Sequence, residues 1–226
     1  VLAAAAAPTA FVAGMLTVPG PYGSAHLSLG FAVVVLVCVV SYRLSAVGAV
    51  VHAALLTASV IGGAISLAAL LIDTSKRNVA AVGAAAALLV VAMAPRLTIV
   101  LAKLPLPPVP TAGVPLDPDD AQPVPTIEGI GAIGAMALPK ADALERRSYL
   151  ANAYLTGIVA GATAVIGPAA VITATPWNGV DAKSMALAVI LAVVLCLRGR
   201  SHSDLVQACV LIGGGVLTLA AVSYTH

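Results

Sequence analysis

The chain has 226 residues, of which 61% are hydrophobic and 9% charged; its net charge is +2 and its mean hydropathy is +1.07. Because a soluble domain carries about 25% charged residues, this composition excludes a water-soluble globular fold and indicates that lipid is the main solvent. The small net charge, without a stripe of clustered Lys and Arg, excludes nucleic acid as a partner. Cys38, Cys196 and Cys209 show no paired spacing, so we expect free thiols, without a disulfide framework or a metal site.

Seven apolar runs follow one another along the chain, separated by turn-forming or charged residues. Each run approaches the roughly 20 residues that a membrane-spanning helix needs, and each is apolar all round rather than alternating as in a barrel strand. The sequence therefore predicts an all-α, polytopic transmembrane bundle of about seven helices. The predicted helices are 1–18, 26–42, 45–71, 79–101, 148–174, 182–198 and 204–223. Because the first run begins at Val1 without a charged leader, we expect the chain to be part of a longer polypeptide.

Residues 102–147 differ from the rest of the chain. They contain nine of the 15 prolines and six of the nine acidic residues. Successive prolines favour an extended, polyproline-like segment, and apolar residues at helical spacing within 126–138 predict a short amphipathic helix. We expect this region to be a soluble loop between two sets of transmembrane helices.

The basic residues are unequally divided between the two predicted faces of the membrane. One face is predicted to carry Arg43, Arg96, Lys103, Lys140, Arg146, Arg147, Arg198 and Arg200. The other face is predicted to carry Lys76, Arg77 and Lys183. The face richer in Lys and Arg is normally cytoplasmic, so loop 102–147 is predicted to lie in the cytoplasm.

Two features within the apolar runs predict contacts between helices. Gly157 and Gly161 form a GxxxG pattern, whose small residues let helix backbones approach closely in lipid. His52 is the only ionisable residue well inside an apolar run. It is interpreted as a hydrogen-bonding residue between helices, with proton handling as the alternative.

No motif for catalysis or cofactor binding is convincing. All nine acidic residues fall in connections or at helix ends, whereas ion-coupled carriers usually need an acid near the middle of the membrane. Gly129, Gly131 and Gly134 spell GxGxxG, but prolines precede them where a dinucleotide site needs a strand. We find no nucleophile–base spacing. The chain is therefore predicted not to be an enzyme and to bind no cofactor.

Two stretches carry a family resemblance. The first is the proline-rich segment 104–111, which follows a helix that ends soon after Arg96. The second is the turn 196–200, which is followed by Gln207. These stretches, the order of the helices and the sequence 145–148 resemble EccD, a membrane component of type VII (ESX) secretion systems in mycobacteria. The seven helices look like the third to ninth of the eleven in that family.

The resemblance implies a structural, channel-forming inner-membrane subunit that helps to export proteins. It implies as partners EccB, EccC, EccE, a second copy of the chain, and membrane lipids that reach an apolar interior. The residues predicted to dock partners are Pro105, Pro107, Pro108, Pro110, Glu128, Arg146 and Arg147, with Arg198 and Arg200 in a cytoplasmic turn. The alternative is a secondary transporter for a small solute, which would use His52 and the glycine-broken helices.

Overall fold

The computed structural model describes residues 2–103, 141–175 and 181–225. Within these ranges every regular element is an α-helix, which confirms the predicted all-helical fold. The helices are α1 (Leu2–Leu16), α2 (Ser24–Ser45), α3 (Ala49–Leu71), α4 (Lys76–Ala102), α5 (Ala141–Ala174), α6 (Ala182–Gly199) and α7 (Leu205–Thr225). Helices α2 to α7 are long and apolar enough to cross a membrane, whereas α1 has 15 residues and falls short of the roughly 20 that a span needs.

Two helix boundaries differ from the predicted ones in ways that matter for function. Helix α5 begins at Ala141 rather than at residue 148, so the end of the predicted loop 102–147 is helical. Its first turns are rich in Ala, Leu, Glu and Arg, which are good helix formers whether or not they are apolar. Helix α3 begins at Ala49 rather than at residue 45, because the chain turns through left-handed conformations at Ala46 (φ 51°) and Gly48 (φ 75°).

Polar residues in the connections cap the helices that follow them. The Ser75 hydroxyl accepts a hydrogen bond from the amide of Asn78 at the start of α4. Asp181 accepts one from the amide of Lys183 at the start of α6, and Asp204 one from the amide of Val206 at the start of α7. Such caps satisfy amides that have no partner within the helix, so the carboxylates Asp181 and Asp204 stand where α6 and α7 begin.

Helix α5 lies at the centre of the bundle. In its most apolar window 56% of the residues are buried, compared with 17–33% in the other five spans. Helices α3, α4, α6 and α7 pack against it, α2 packs against α3, and α1 packs mainly against α2. The main core consists largely of small or branched aliphatic side chains from α4 to α7: Ala84, Ala87, Val91, Ala94, Ile158, Val159, Ala162, Ile166, Ala169, Ala170, Ala174, Ala188, Leu191, Leu195, Leu211 and Val222.

The outward surface of the bundle carries large apolar side chains. Val82 and Val100 on α4 and Leu217 on α7 are each more than 70% exposed. A soluble protein rarely exposes apolar surface on this scale. A bilayer solvates it, in agreement with the composition of the chain.

Candidate functional site

The connections between helices lie alternately at two opposite ends of the bundle. At one end Arg147 donates a hydrogen bond to the Lys103 carbonyl, with a nitrogen–oxygen distance of 3.2 Å, so α4 ends where α5 begins. We call this the loop-side end. At the opposite end Arg77 forms an ion pair with Asp181 at 3.6 Å and donates to the carbonyl of Thr175 at 3.1 Å. The described basic residues therefore divide between the two ends as the sequence predicted, whereas Lys140 lies outside the described residues. The assignment of the loop-side end to the cytoplasm stays a prediction.

The GxxxG pair lies where α5 crosses α3. A Cβ atom added to Gly157 would lie 2.5 Å from the Cβ of Ala53 and 2.6 Å from the carbonyl oxygen of Val50. A Cβ atom added to Gly161 would collide with the carbonyl oxygen of Ala54. The two backbones thus touch without intervening side chains, which is the geometry that small residues permit in lipid. The predicted packing role of the pair is tested by substitution below.

His52 lies in the first turn of α3, near the loop-side end. Its position is shallower than the sequence suggested, because α3 begins only at Ala49. The ring is 4% exposed, and its Nδ1 atom lies 3.0 Å from the carbonyl oxygen of Gly48. A carbonyl can only accept, so Nδ1 carries a proton. The Nε2 atom is buried and has no partner among the residues described.

Two tyrosines accompany His52. The hydroxyl oxygens of Tyr42 on α2 and Tyr154 on α5 are 2.8 Å apart, within hydrogen-bonding distance. The Tyr42 ring also lies against the imidazole of His52, with ring centroids 5.4 Å apart and planes tilted by 46°. Side chains from α2, α3 and α5 therefore meet in one polar cluster, which lines one end of a cavity of about 430 Å³.

A second polar cluster joins α5 to α7 at the same end. Gln207 is 2% exposed, and its amide nitrogen donates to Asn152 at 2.9 Å and to the hydroxyl of Thr156 at 3.0 Å. Asn152 in turn donates to the Asp204 carboxylate at 3.0 Å. This bond, followed by the bond from the Val206 amide, lowers the pKa of Asp204. Hydrogen bonds of this kind hold neighbouring helices of membrane proteins together, and the bond from Gln207 to Thr156 is buried.

The predicted docking residues divide between described and undescribed parts of the chain. Arg146 and Arg147 are exposed on the first turns of α5. Arg200 is exposed just after α6, whereas Arg198 is half-buried and donates to the carbonyl of Ala92 on α4 at 3.4 Å. The remaining predicted docking residues lie outside the described residues: Pro105, Pro107, Pro108, Pro110 and Glu128.

Sequence reasoning missed most of the residues in the two polar clusters. Asn152 and Gln207 had a usable signal, because amide side chains inside or bordering an apolar run are uncommon and usually bond between helices. Tyr42 and Tyr154 had none, since 112 positions separate them and a tyrosine near a helix end is ordinary at a membrane boundary. Within residues 2–103, 141–175 and 181–225, no group of three or more His, Cys, Asp or Glu side chains could hold a metal ion.

The helical fold and the two polar clusters identify the class of protein. The fold is that of a polytopic helical membrane protein whose polar side chains bond helices to one another and whose carboxylates, in the part of the chain that the structure describes, lie in connections or in the first turns of helices. The model of the EccD-like transmembrane domain family matches residues 1–225. The chain belongs to this family.

Curated relatives agree with the family match. The ESX-4 secretion system proteins eccD4 of two Mycobacterium tuberculosis strains, CDC 1551 / Oshkosh and ATCC 25618 / H37Rv, are each 29% identical to this chain over 214 residues. Each alignment covers 92% of this chain and 41% of the relative. The chain therefore spans less than half the length of the relatives that it matches.

Solved structures share the fold. A chain of the MycP5-free ESX-5 inner membrane complex in State II superposes with a TM-score of 0.73 at 21% identity, covering 99% of this chain and 48% of that chain. A chain of protomer 1 of the ESX-3 core complex gives a TM-score of 0.75, also at 21% identity, covering 99% of this chain and 47% of that chain. At this level of identity the similarity establishes the arrangement of the helices.

Proposed function

We propose that this chain is the membrane-embedded scaffold of a type VII (ESX) secretion complex in the inner membrane, where it helps to form the path for exported proteins. The observation that carries the proposal is the family match over residues 1–225, together with relatives that are named as ESX-4 secretion system proteins. The bundle has the physical properties that a scaffold needs. Its helices are held by close backbone contact at Gly157 and Gly161 and by hydrogen bonds, so it presents a fixed shape to its neighbours.

We propose that the partners are EccB, EccC, EccE and a second copy of this chain, with membrane lipids filling an apolar interior. The titles of the similar structures, an inner membrane complex and a core complex, support membership of a larger assembly. We assign docking to segment 104–140 and to the exposed Arg146 and Arg147 beside it. Both charged side chains are exposed at the loop-side end, where a soluble domain could reach them, although Arg147 also bonds to the Lys103 carbonyl.

We further propose that the loop-side end faces the cytoplasm. Its support is the excess of Lys and Arg at that end. Labelling of single cysteines tests it, after Cys38, Cys196 and Cys209 are replaced by alanine. Asp119→Cys in the loop should react with a membrane-impermeant maleimide only after the membrane is opened. Asp73→Cys, exposed at the opposite end, should react in intact cells. The reverse pattern would invert the topology.

Deletion of residues 104–126 tests the docking role. The helices should still insert, because no residue of the described bundle is removed, but co-purification with EccB and EccC should fall. A matched control replaces the same residues with a Gly/Ser linker of equal length, which keeps the ends connected while removing the prolines and acids. If both variants retain EccB and EccC at the level of the unmodified chain, the docking role is wrong.

The alternative function, a secondary transporter for a small solute, receives little support from the geometry. His52 lies in the first turn of α3, so it is near the membrane boundary and not at mid-membrane, where coupling residues usually act. Among the described carboxylates, each stands in a connection or in the first turns of a helix. Proton-coupled uptake into liposomes that is lost in His52→Ala would favour the transporter. We also propose that the role is non-enzymatic, as expected of a structural membrane subunit.

A further inference from the structure

The cavity beside His52 opens toward lipid. It lies between α3, α4 and α5, and Val60, Leu97 and Leu101 on its rim are 57%, 42% and 58% exposed. From His52 the cavity follows α3 to Val60, a helical rise of about 12 Å. One leaflet of hydrocarbon is about 15 Å deep. The cavity therefore runs from the membrane boundary most of the way to the bilayer centre.

The two ends of this cavity differ in chemistry. The wall toward the bilayer centre is formed by aliphatic side chains such as Ile61, Val90 and Ile158. At the loop-side end the polar side chains of Tyr42, His52 and Tyr154 line the cavity beside the apolar Ala49 and Leu101. An elongated space that is apolar along its length and polar at the membrane boundary matches a lipid molecule, whose acyl chain and headgroup are divided in the same way.

The polar end has unused hydrogen-bonding capacity. When the hydroxyls of Tyr42 and Tyr154 bond to each other, one of the two protons is engaged and the other is free to donate. His52 has its Nδ1 proton committed to the Gly48 carbonyl, so in the neutral ring Nε2 can only accept. That buried atom has no partner among the described residues, and groups of this kind are rarely left unsatisfied in folded proteins.

We propose that this cavity is a binding site for one phospholipid with a hydroxyl-bearing headgroup, such as a glycerol headgroup. One acyl chain lies along the aliphatic wall, and the headgroup reaches the tyrosine pair and His52. A hydroxyl suits this site because it donates and accepts at once. It can accept from the free tyrosine proton, or supply the donor that Nε2 lacks. The site goes beyond the secretion role and does not depend on it.

The test compares two lipids that differ only in the proposed feature. The full chain is placed in phosphatidylcholine nanodiscs that contain either phosphatidylglycerol or phosphatidylmethanol with identical acyl chains. Both guest lipids carry one negative charge, and only the first carries headgroup hydroxyls. Native mass spectrometry of the released protein counts retained lipids. One net hydrogen bond corresponds to a preference of about fivefold, so phosphatidylglycerol should be retained by about that factor over phosphatidylmethanol.

Two variants test whether the preference for phosphatidylglycerol arises in the cavity. Tyr42→Phe combined with Tyr154→Phe removes both hydroxyls and keeps both rings, and Leu97→Trp fills the cavity while leaving every polar group in place. Leu97→Trp should abolish the preference, and the double variant should lower it, because the tyrosine proton is lost while Nε2 of His52 can still accept. Leu97→Trp is the deciding variant if the double variant does not purify. The matched control is Tyr149→Phe, an exposed tyrosine of α5 at the same end, which should keep it. Equal retention of the two lipids by the unmodified chain, or a preference that survives Leu97→Trp, would overturn the proposal.

Discussion

Helices α2 and α5 show how burial is decided in this bundle. Helix α5 is no more apolar than α2, yet 56% of its most apolar window is buried, compared with 17% in α2. The difference lies in side-chain size and polarity. Helix α5 carries Gly157, Gly161 and the bonding amide Asn152, whereas α2 presents large side chains such as Leu36, which is 65% exposed, to lipid. Because lipid is as apolar as the helices, a helix gains little from burial of apolar surface alone. Close packing and hydrogen bonds therefore decide which helix occupies the centre of the bundle.

The largest expected loss of stability comes from a substitution at the crossing of α5 and α3. In Gly161→Ala the new methyl group meets the carbonyl oxygen of Ala54 and lies 2.9 Å from the Cβ of Thr57, so the helices must separate. We expect a loss of about 1–3 kcal/mol, as for other overpacked interiors. Thermal unfolding of the purified protein in detergent measures the change.

The matched control is Gly213→Ala on α7, where an added Cβ would have nothing within 4 Å. Alanine is the better helix former by up to about 1 kcal/mol, so this variant should be as stable as the original chain or slightly more so. If the two substitutions destabilise the protein equally, the glycines matter for the flexibility of their helices. Close contact with α3 would then not explain the central position of α5.

A smaller effect is expected where polar bonds hold α5 to α7. Gln207→Leu removes both donated bonds and leaves Asn152 and Thr156 without that partner. Hydrogen bonds between membrane helices average about 0.6 kcal/mol and reach about 1.7 kcal/mol, so we expect a loss of that order in the same assay. Ser223→Ala serves as the control, because that exposed hydroxyl bonds only to its own helix at Ala220. A loss no greater than in the control would contradict the role of the cluster.

The smallest effect concerns acid stability. Hydrogen bonds from Asn152 and Val206 lower the pKa of Asp204. A carboxylate whose pKa is lowered by folding stabilises the protein above its ordinary pKa of about 3.9, and this contribution is lost as the pH falls through the lowered value. The melting temperature should thus stay level from neutral pH to about pH 5 and fall below about pH 4.

In Asp204→Asn the melting temperature should fall less steeply below about pH 4, because an amide does not titrate. Glu145→Gln, at an exposed carboxylate on the first turns of α5, should leave the profile unchanged. The melting temperature of each variant, followed from pH 7 downward, checks both statements. If the melting temperature of Asp204→Asn falls as steeply with pH as that of the original chain, Asp204 does not contribute to the loss of stability in acid.

Within residues 2–103, 141–175 and 181–225, the sequence was sufficient for the number, order and approximate ends of the helices, because the length of an apolar run reports directly on a membrane span. The amphipathic helix predicted within 126–138 lies outside the described residues. The sequence did not reveal that α5 begins at Ala141, since hydropathy does not detect a helix that extends into water. Nor did it place His52 correctly, because the left-handed turn at Ala46 and Gly48 lies within what reads as one apolar run. The meeting of Tyr42 with Tyr154 depends on how helices cross, which no local pattern encodes.

Helices α4 and α5 pack against each other more extensively than any other pair among the described elements, although residues 104–140 separate them in the chain. Their association therefore does not require a continuous polypeptide. The protein could be produced as two separate pieces, divided within that interval, and the pieces should find each other in the bilayer. Evolution would then be free to lengthen, shorten or exchange the intervening segment without disturbing the membrane-embedded body.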